Sequence, residues 1–101
     1  MSVITITKDN YTAEVENSDK LVLLDFWAAW CRPCLMVSPV IDEIAKEFPD
    51  VKVGKVNVDE QPELAARFGV MSIPTIIVFK NGTAESTVVG AKPKAELLAL
   101  L

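Results

Sequence analysis

Residues 21–27 read Leu-Val-Leu-Leu-Asp-Phe-Trp, an apolar run broken by a single acid. A nearly continuous run of this length reads as a strand buried on both faces, because a strand covered from above and below loses the in–out alternation of a half-exposed one. The segment after it carries apolar residues at Cys34, Val37, Ile41, Ile44 and Phe48. That spacing marks one stripe of a helix over 31–48, about 27 Å long at about 1.5 Å per residue. Asp42, Glu43, Lys46 and Glu47 fall towards water, and Pro39, lacking an N–H, predicts a kink inside the helix. Residues 51–58, Val-Lys-Val-Gly-Lys-Val-Asn-Val, form a second central strand. A helical crossover between 21–27 and 51–58 makes these two strands parallel.

The remaining segments extend this layering. Val3–Ile6 reads as a short edge strand, and 9–17 as a short amphipathic helix with Tyr11 and Val15 inward and Thr7 or Asp9 as its cap. Asp59 is placed to cap a helix that runs through Phe68 and closes at Gly69. Thr75–Phe79 is a third strong strand, Asn81-Gly82 a hairpin turn, and Thr83–Val89 its antiparallel partner. Lys94–Leu101 closes the chain as a helix with Pro93 at its first turn. The sum is an α/β fold: one domain over 1–101, with a central mixed sheet of about five strands flanked by four helices.

Composition bounds the function. Half of the 101 residues are hydrophobic and 24% are charged, which fits a packed core and not a disordered chain. The formal charge of −4 argues against nucleic-acid binding, which needs a dense basic face. No apolar run reaches the length of a membrane span. Met1 leads into Val3-Ile4-Thr5-Ile6 and not into a basic, then apolar, leader, so a cytoplasmic location is expected. The chain has no histidine, which removes Cys–His and Ser–His nucleophile pairs and histidine metal ligands together.

The two cysteines stand at Cys31-Arg32-Pro33-Cys34, on the first turn of the long helix and just past the carboxyl end of the first buried strand. Ligand and reaction sites of open α/β sheets form at such strand ends. The i, i+3 spacing places both sulfurs on one helix face. Unpaired N–H groups and the positive end of the helix dipole favour a thiolate there. Pro33 suits a first turn and stiffens the loop. This pattern suits thiol–disulfide exchange, in which one thiolate attacks a disulfide and a second thiol resolves the intermediate. Three alternatives stand beside it. A zinc site would need further acidic ligands or a dimer; a structural disulfide would close a very small loop; two inert core cysteines would leave the pairing unused.

Trp27-Ala28-Ala29-Trp30-Cys31-Arg32-Pro33-Cys34, with Ile73-Pro74-Thr75 and Phe79-Lys80-Asn81-Gly82, resembles the thioredoxin family, and the order of elements is similar over almost the whole chain. The resemblance implies that Cys31 is the attacking thiolate and Cys34 the buried resolving thiol. Asp25 would sit behind Cys34 as a proton acceptor, with Lys55 on the adjacent strand as its partner; a buried acid paired with a lysine and nothing more is the plainer alternative. Ile73-Pro74 would be cis, with the Ile73 backbone pairing with an extended substrate chain. Trp30, Pro74, Val89, Gly90 and Ala91 would form an apolar collar around the sulfurs. Trp27 reads as core. The implied activity is a protein-disulfide reductase that needs no bound cofactor or metal. It would act as a monomer on disulfide-containing proteins and be recharged by thioredoxin reductase. A disulfide oxidase or isomerase, or a non-catalytic binding subunit on the same fold, are the alternatives.

Three positions depart from the family pattern: Arg32 where glycine is usual, Leu35 where many members carry lysine, and Ser72 in place of a glycine beside the proline. Arg32 moves a positive charge into the motif, where it is expected to stabilise the Cys31 thiolate. Ser72 is expected to hydrogen-bond locally. The final helix, ending at Leu101, is short for the family.

Overall fold

The computed structural model describes residues 3–101; Met1 and Ser2, part of the expected domain, lie outside the described residues. Five strands, β1 (Ile4–Thr5), β2 (Leu21–Trp27), β3 (Val51–Asn57), β4 (Thr75–Lys80) and β5 (Thr83–Val89), form one sheet in the order β1-β3-β2-β4-β5. β1 and β2 both run parallel to β3, whereas β4 is antiparallel to β2 and β5. The helices are α1 (Arg32–Glu47), α2 (Pro62–Arg67) and α3 (Lys94–Leu98), with a further helical turn at Thr12–Glu16 between β1 and β2. The expected mixed five-stranded sheet with four helical segments is thus present.

β2 is central, and its side chains divide the core in two. Val22, Leu24 and Phe26 join Tyr11, Val15, Val56, Leu64, Ile77 and Phe79 on one face. Leu23 points the other way, onto Val37, Ile41, Ile44, Ala45 and Leu97 of α1 and α3. Each such fully buried aliphatic or aromatic side chain is worth about 1.5–3 kcal/mol. By the same alternation Asp25 projects onto the α1 face, so the one acid of the run lies under the helix that carries the cysteines. Lys94 fastens α3 to α1 by donating to Glu43 Oε1 at 3.0 Å and Glu47 Oε1 at 2.8 Å. The hairpin turn has Asn81 at φ 52° and Gly82 at φ 78°, the left-handed pair that a two-residue turn requires.

Several boundaries differ from expectation. The 9–17 helix is reduced to a wide turn in which Asn17 N–H donates to Thr12 O at 2.9 Å. Thr7 organises its entry: Asp9 N–H donates to the Thr7 hydroxyl at 3.2 Å and Tyr11 N–H to the Thr7 carbonyl at 3.0 Å. α1 runs on through Pro39, but its buried stripe ends with Ala45; Phe48, past the last turn, is 37% exposed. Asp59 does not cap α2. Asn57 turns the chain instead, its Oδ1 accepting from Asp59 N–H at 2.9 Å and Glu60 N–H at 3.2 Å, and α2 begins only at Pro62. Pro93 precedes α3 rather than lying in its first turn.

Candidate functional site

β2 ends at Trp27, and a short loop delivers Cys31 to the N-cap of α1. Arg32 and Pro33 occupy the first helical positions, where a missing proline N–H costs nothing. Cys31 and Cys34 are joined as a disulfide with their α-carbons 5.2 Å apart. Cys34 N–H, one of the orphan donors of the first turn, donates to Cys31 Sγ at 3.2 Å. The sulfur of Cys31 therefore faces the positive end of a 16-residue helix. On its other side it lies 3.8 Å from the Ile73 carbonyl oxygen. Both cysteines are buried with Ala28, against Trp27, Val58 and Ile73.

Asp25 is 1% exposed, and among the described residues neither of its carboxylate oxygens has a hydrogen-bond partner. Burial pushes its carboxyl from the ordinary 3.8 up to about 7; the Lys55 ammonium pulls it down and the Asp42 carboxylate adds to the rise. Lys55 is its register partner on β3. The lysine does not close onto it: Lys55 Nζ donates to Ser38 Oγ of α1, 5.7 Å from the centre of the Trp27 ring. The expected Asp25–Lys55 contact is thus replaced by an influence through space.

The Ile73–Pro74 peptide is cis, as the motif implied. Gly90 N–H donates to the Pro74 carbonyl at 2.8 Å, and Val89 stands in register with Thr75, so the end of β5 is drawn to the same edge. The collar is narrower than expected: Pro74 is buried beneath it, while Trp30, Val89 and Ala91 are exposed and Ile73 and Gly90 are partly so. Trp27 is half-buried against the cysteines rather than fully in the core.

This constellation can be set beside known proteins. The thioredoxin family model matches residues 2–101. The chain belongs to the thioredoxin family. The thioredoxin of Pyropia yezoensis is 50% identical over 102 residues, covering 100% of this chain and 95% of its own length. Thioredoxin 1 of Synechococcus elongatus is 53% identical over 93 residues, covering 91% and 87%. The thioredoxin of Alicyclobacillus acidocaldarius is 48% identical over 101 residues, covering 99% and 95%. With a Cys-x-x-Cys pair joined as a disulfide at the head of α1, this thioredoxin-family chain is a thiol–disulfide oxidoreductase whose substrates are disulfide-containing proteins.

Sequence reasoning missed several residues of the site in this thioredoxin fold. Asp59 Oδ2 accepts from Trp30 Nε1 at 2.8 Å and fixes an indole that is 70% exposed. Ser38 holds Lys55. Met36, two residues past Cys34, and Met71, three before Pro74, are exposed at 73% and 95% and enlarge the apolar surface in the two segments that carry the disulfide and the cis-proline. Arg32 is exposed at the first position of α1. At Ser72 the main chain makes the local bond, its carbonyl accepting from the Thr75 hydroxyl.

Proposed function

We propose that this oxidoreductase works mainly as a reductant of protein disulfides, with Cys31 as nucleophile and Cys34 as resolving thiol. The observation that carries this reading is the placement of Cys31 Sγ at the N-terminus of α1, within reach of the Cys34 N–H. In the reduced protein the Cys31 thiolate attacks one sulfur of a substrate disulfide. The Cys31–substrate bond forms, the substrate disulfide breaks, and one substrate sulfur leaves as a thiolate. Cys34 then gives up its proton and attacks Cys31 Sγ. The mixed disulfide breaks, the second substrate sulfur leaves, and the Cys31–Cys34 bond closes. Two electrons pass to the substrate.

Asp25 is the group that takes the Cys34 proton. A carboxyl raised to about 7 is half-ionised near neutral pH, where a base is most useful. Lys55 tempers that rise, and Pro33 stiffens the turn between the sulfurs. Arg32 adds positive charge beside the Cys31 thiolate. The substrate strand lies along Ile73, whose N–H and carbonyl pair with it, over a rim formed by Trp30, Val89, Gly90 and Ala91. Pro74 shapes that edge from beneath. Thioredoxin reductase returns the two electrons, and the protein acts as a monomer in the reducing cytoplasm.

Reduction of insulin disulfides, driven by a thioredoxin reductase and its nicotinamide cofactor, tests the reading. Wild type turns over; Cys31→Ser does not react, and Cys34→Ser stalls as a mixed disulfide. Turnover by Cys31→Ser overturns the assignment of the nucleophile.

A further inference from the structure

Asp25 and Lys55 are direct partners across β2 and β3, so both side chains leave the sheet on its α1 face. An unpaired buried carboxylate is costly, and a lysine next to it is the obvious partner. Yet both Asp25 oxygens lack a hydrogen bond among the described residues, and the ammonium instead donates to the Ser38 hydroxyl. Ser38 sits on α1 four residues after Cys34, hence on the same face one turn deeper. The ammonium is hemmed on another side by the Trp27 ring.

We propose that Ser38 is a positioning residue whose hydroxyl captures the Lys55 ammonium and holds it off Asp25, leaving that carboxyl free to exchange a proton. This rests on the proton-transfer role assigned to Asp25 above. Among the described residues, the charges that act on Asp25 are those of Lys55 and Asp42. β3 supplies Lys55, and α1 supplies the Asp42 carboxylate and, on reduction, the Cys34 thiol; β4 places Ile76 opposite and adds no charge. Lysine carries three donors on a flexible stem, so its position depends on which acceptor claims it. Without the serine oxygen, two carboxylates remain on that face, Asp42 one turn further along α1 and Asp25; the buried Asp25 carboxylate, with no hydrogen bond of its own, gains the more from the ammonium. A direct ion pair there favours the charged form and makes Asp25 a weaker base.

The test is a carbon-13 NMR titration of the Asp25 side-chain carboxyl in the oxidised protein. In Ser38→Ala the titration midpoint falls by about one unit or more, the shift expected when a carboxylate gains a cationic neighbour. Ser38→Thr, which keeps a hydroxyl, restores the wild-type midpoint. In a Lys55→Met background, Ser38→Ala moves nothing. An unmoved or raised midpoint in Ser38→Ala, or an equal fall without the lysine, overturns the proposal. The pH profile of mixed-disulfide resolution, read on the same variants, separates it from the reading beneath it. A profile that follows the midpoint supports both. A midpoint that moves while the profile stays leaves Ser38 as the holder of Lys55 and removes Asp25 from proton transfer.

Discussion

Trp30 Nε1 donates a hydrogen bond to Asp59 Oδ2 at 2.8 Å, tying the residue before the reactive pair to the loop that follows β3. An indole that is 70% exposed would otherwise sample several rotamers. The bond holds a flat apolar surface ready beside the sulfurs, and preorganisation of this kind lowers the ordering cost of binding.

Asp59→Ala is therefore expected to weaken protein-substrate binding while leaving the sulfur chemistry intact. Loss of a hydrogen bond worth about 0.5–1.5 kcal/mol corresponds to a rise of about two- to tenfold in KM for insulin. The rate with a small disulfide that does not span the rim stays unchanged. Equal loss with both substrates contradicts a binding role.

Asp25 makes stability depend on pH in a stated direction. Its carboxyl titrates at about 7 in the folded chain and at the ordinary 3.8 when exposed. Between those values the folded chain binds the proton and the unfolded chain does not, so stability falls as pH rises through that window. A rise of about three units corresponds to about 4 kcal/mol at most. Asp25→Asn removes the charge: denaturant unfolding is expected to show it more stable than wild type by a few kcal/mol above pH 7, with the gap shrinking towards pH 4. The same variant resolves the mixed disulfide about a hundredfold or more slowly at pH 7, the low end of what a positioned base contributes. A pH-independent gap, or unchanged resolution, contradicts the account.

Arg32 occupies the first position of α1 and is exposed. A positive charge there stabilises the thiolate of the reduced form more than it does the disulfide. If the difference is about 1 kcal/mol, Arg32→Gly lowers the reduction potential by about 20 mV. Redox titration against a thiol–disulfide buffer reads this directly, and no change or a rise rejects it.

Much of the fold was legible because its signals are local. The apolar run of β2, the Cys31–Cys34 spacing at a helix start and the Asn81-Gly82 turn each specify their structure within a few residues. Phe48 continues the helical period by one step in the sequence, but α1 stops at Glu47, so its side chain falls past the buried stripe. Asp59 was misread as a cap for a different reason: the preference of aspartate for helix starts is real, but its carboxylate is claimed by Trp30, 29 residues away, and Asn57 turns the chain instead. Lys55 followed the same logic. Its pairing with Asp25 was correct in register, yet its amine goes to Ser38, a polar residue that in the sequence is only one more position on a helix. Exposed Met36 and Met71 carry no mark in the sequence, since an apolar residue there fits a core or a rim equally well.

The central claim is that the N-terminus of α1 makes Cys31 an acidic, nucleophilic thiol. The rate of alkylation of reduced Cys31, followed against pH in Cys34→Ser to leave one thiol, tests it most directly. The account predicts a midpoint at least one unit below the value of about 8.5 for a free cysteine. A midpoint at or above that value contradicts it.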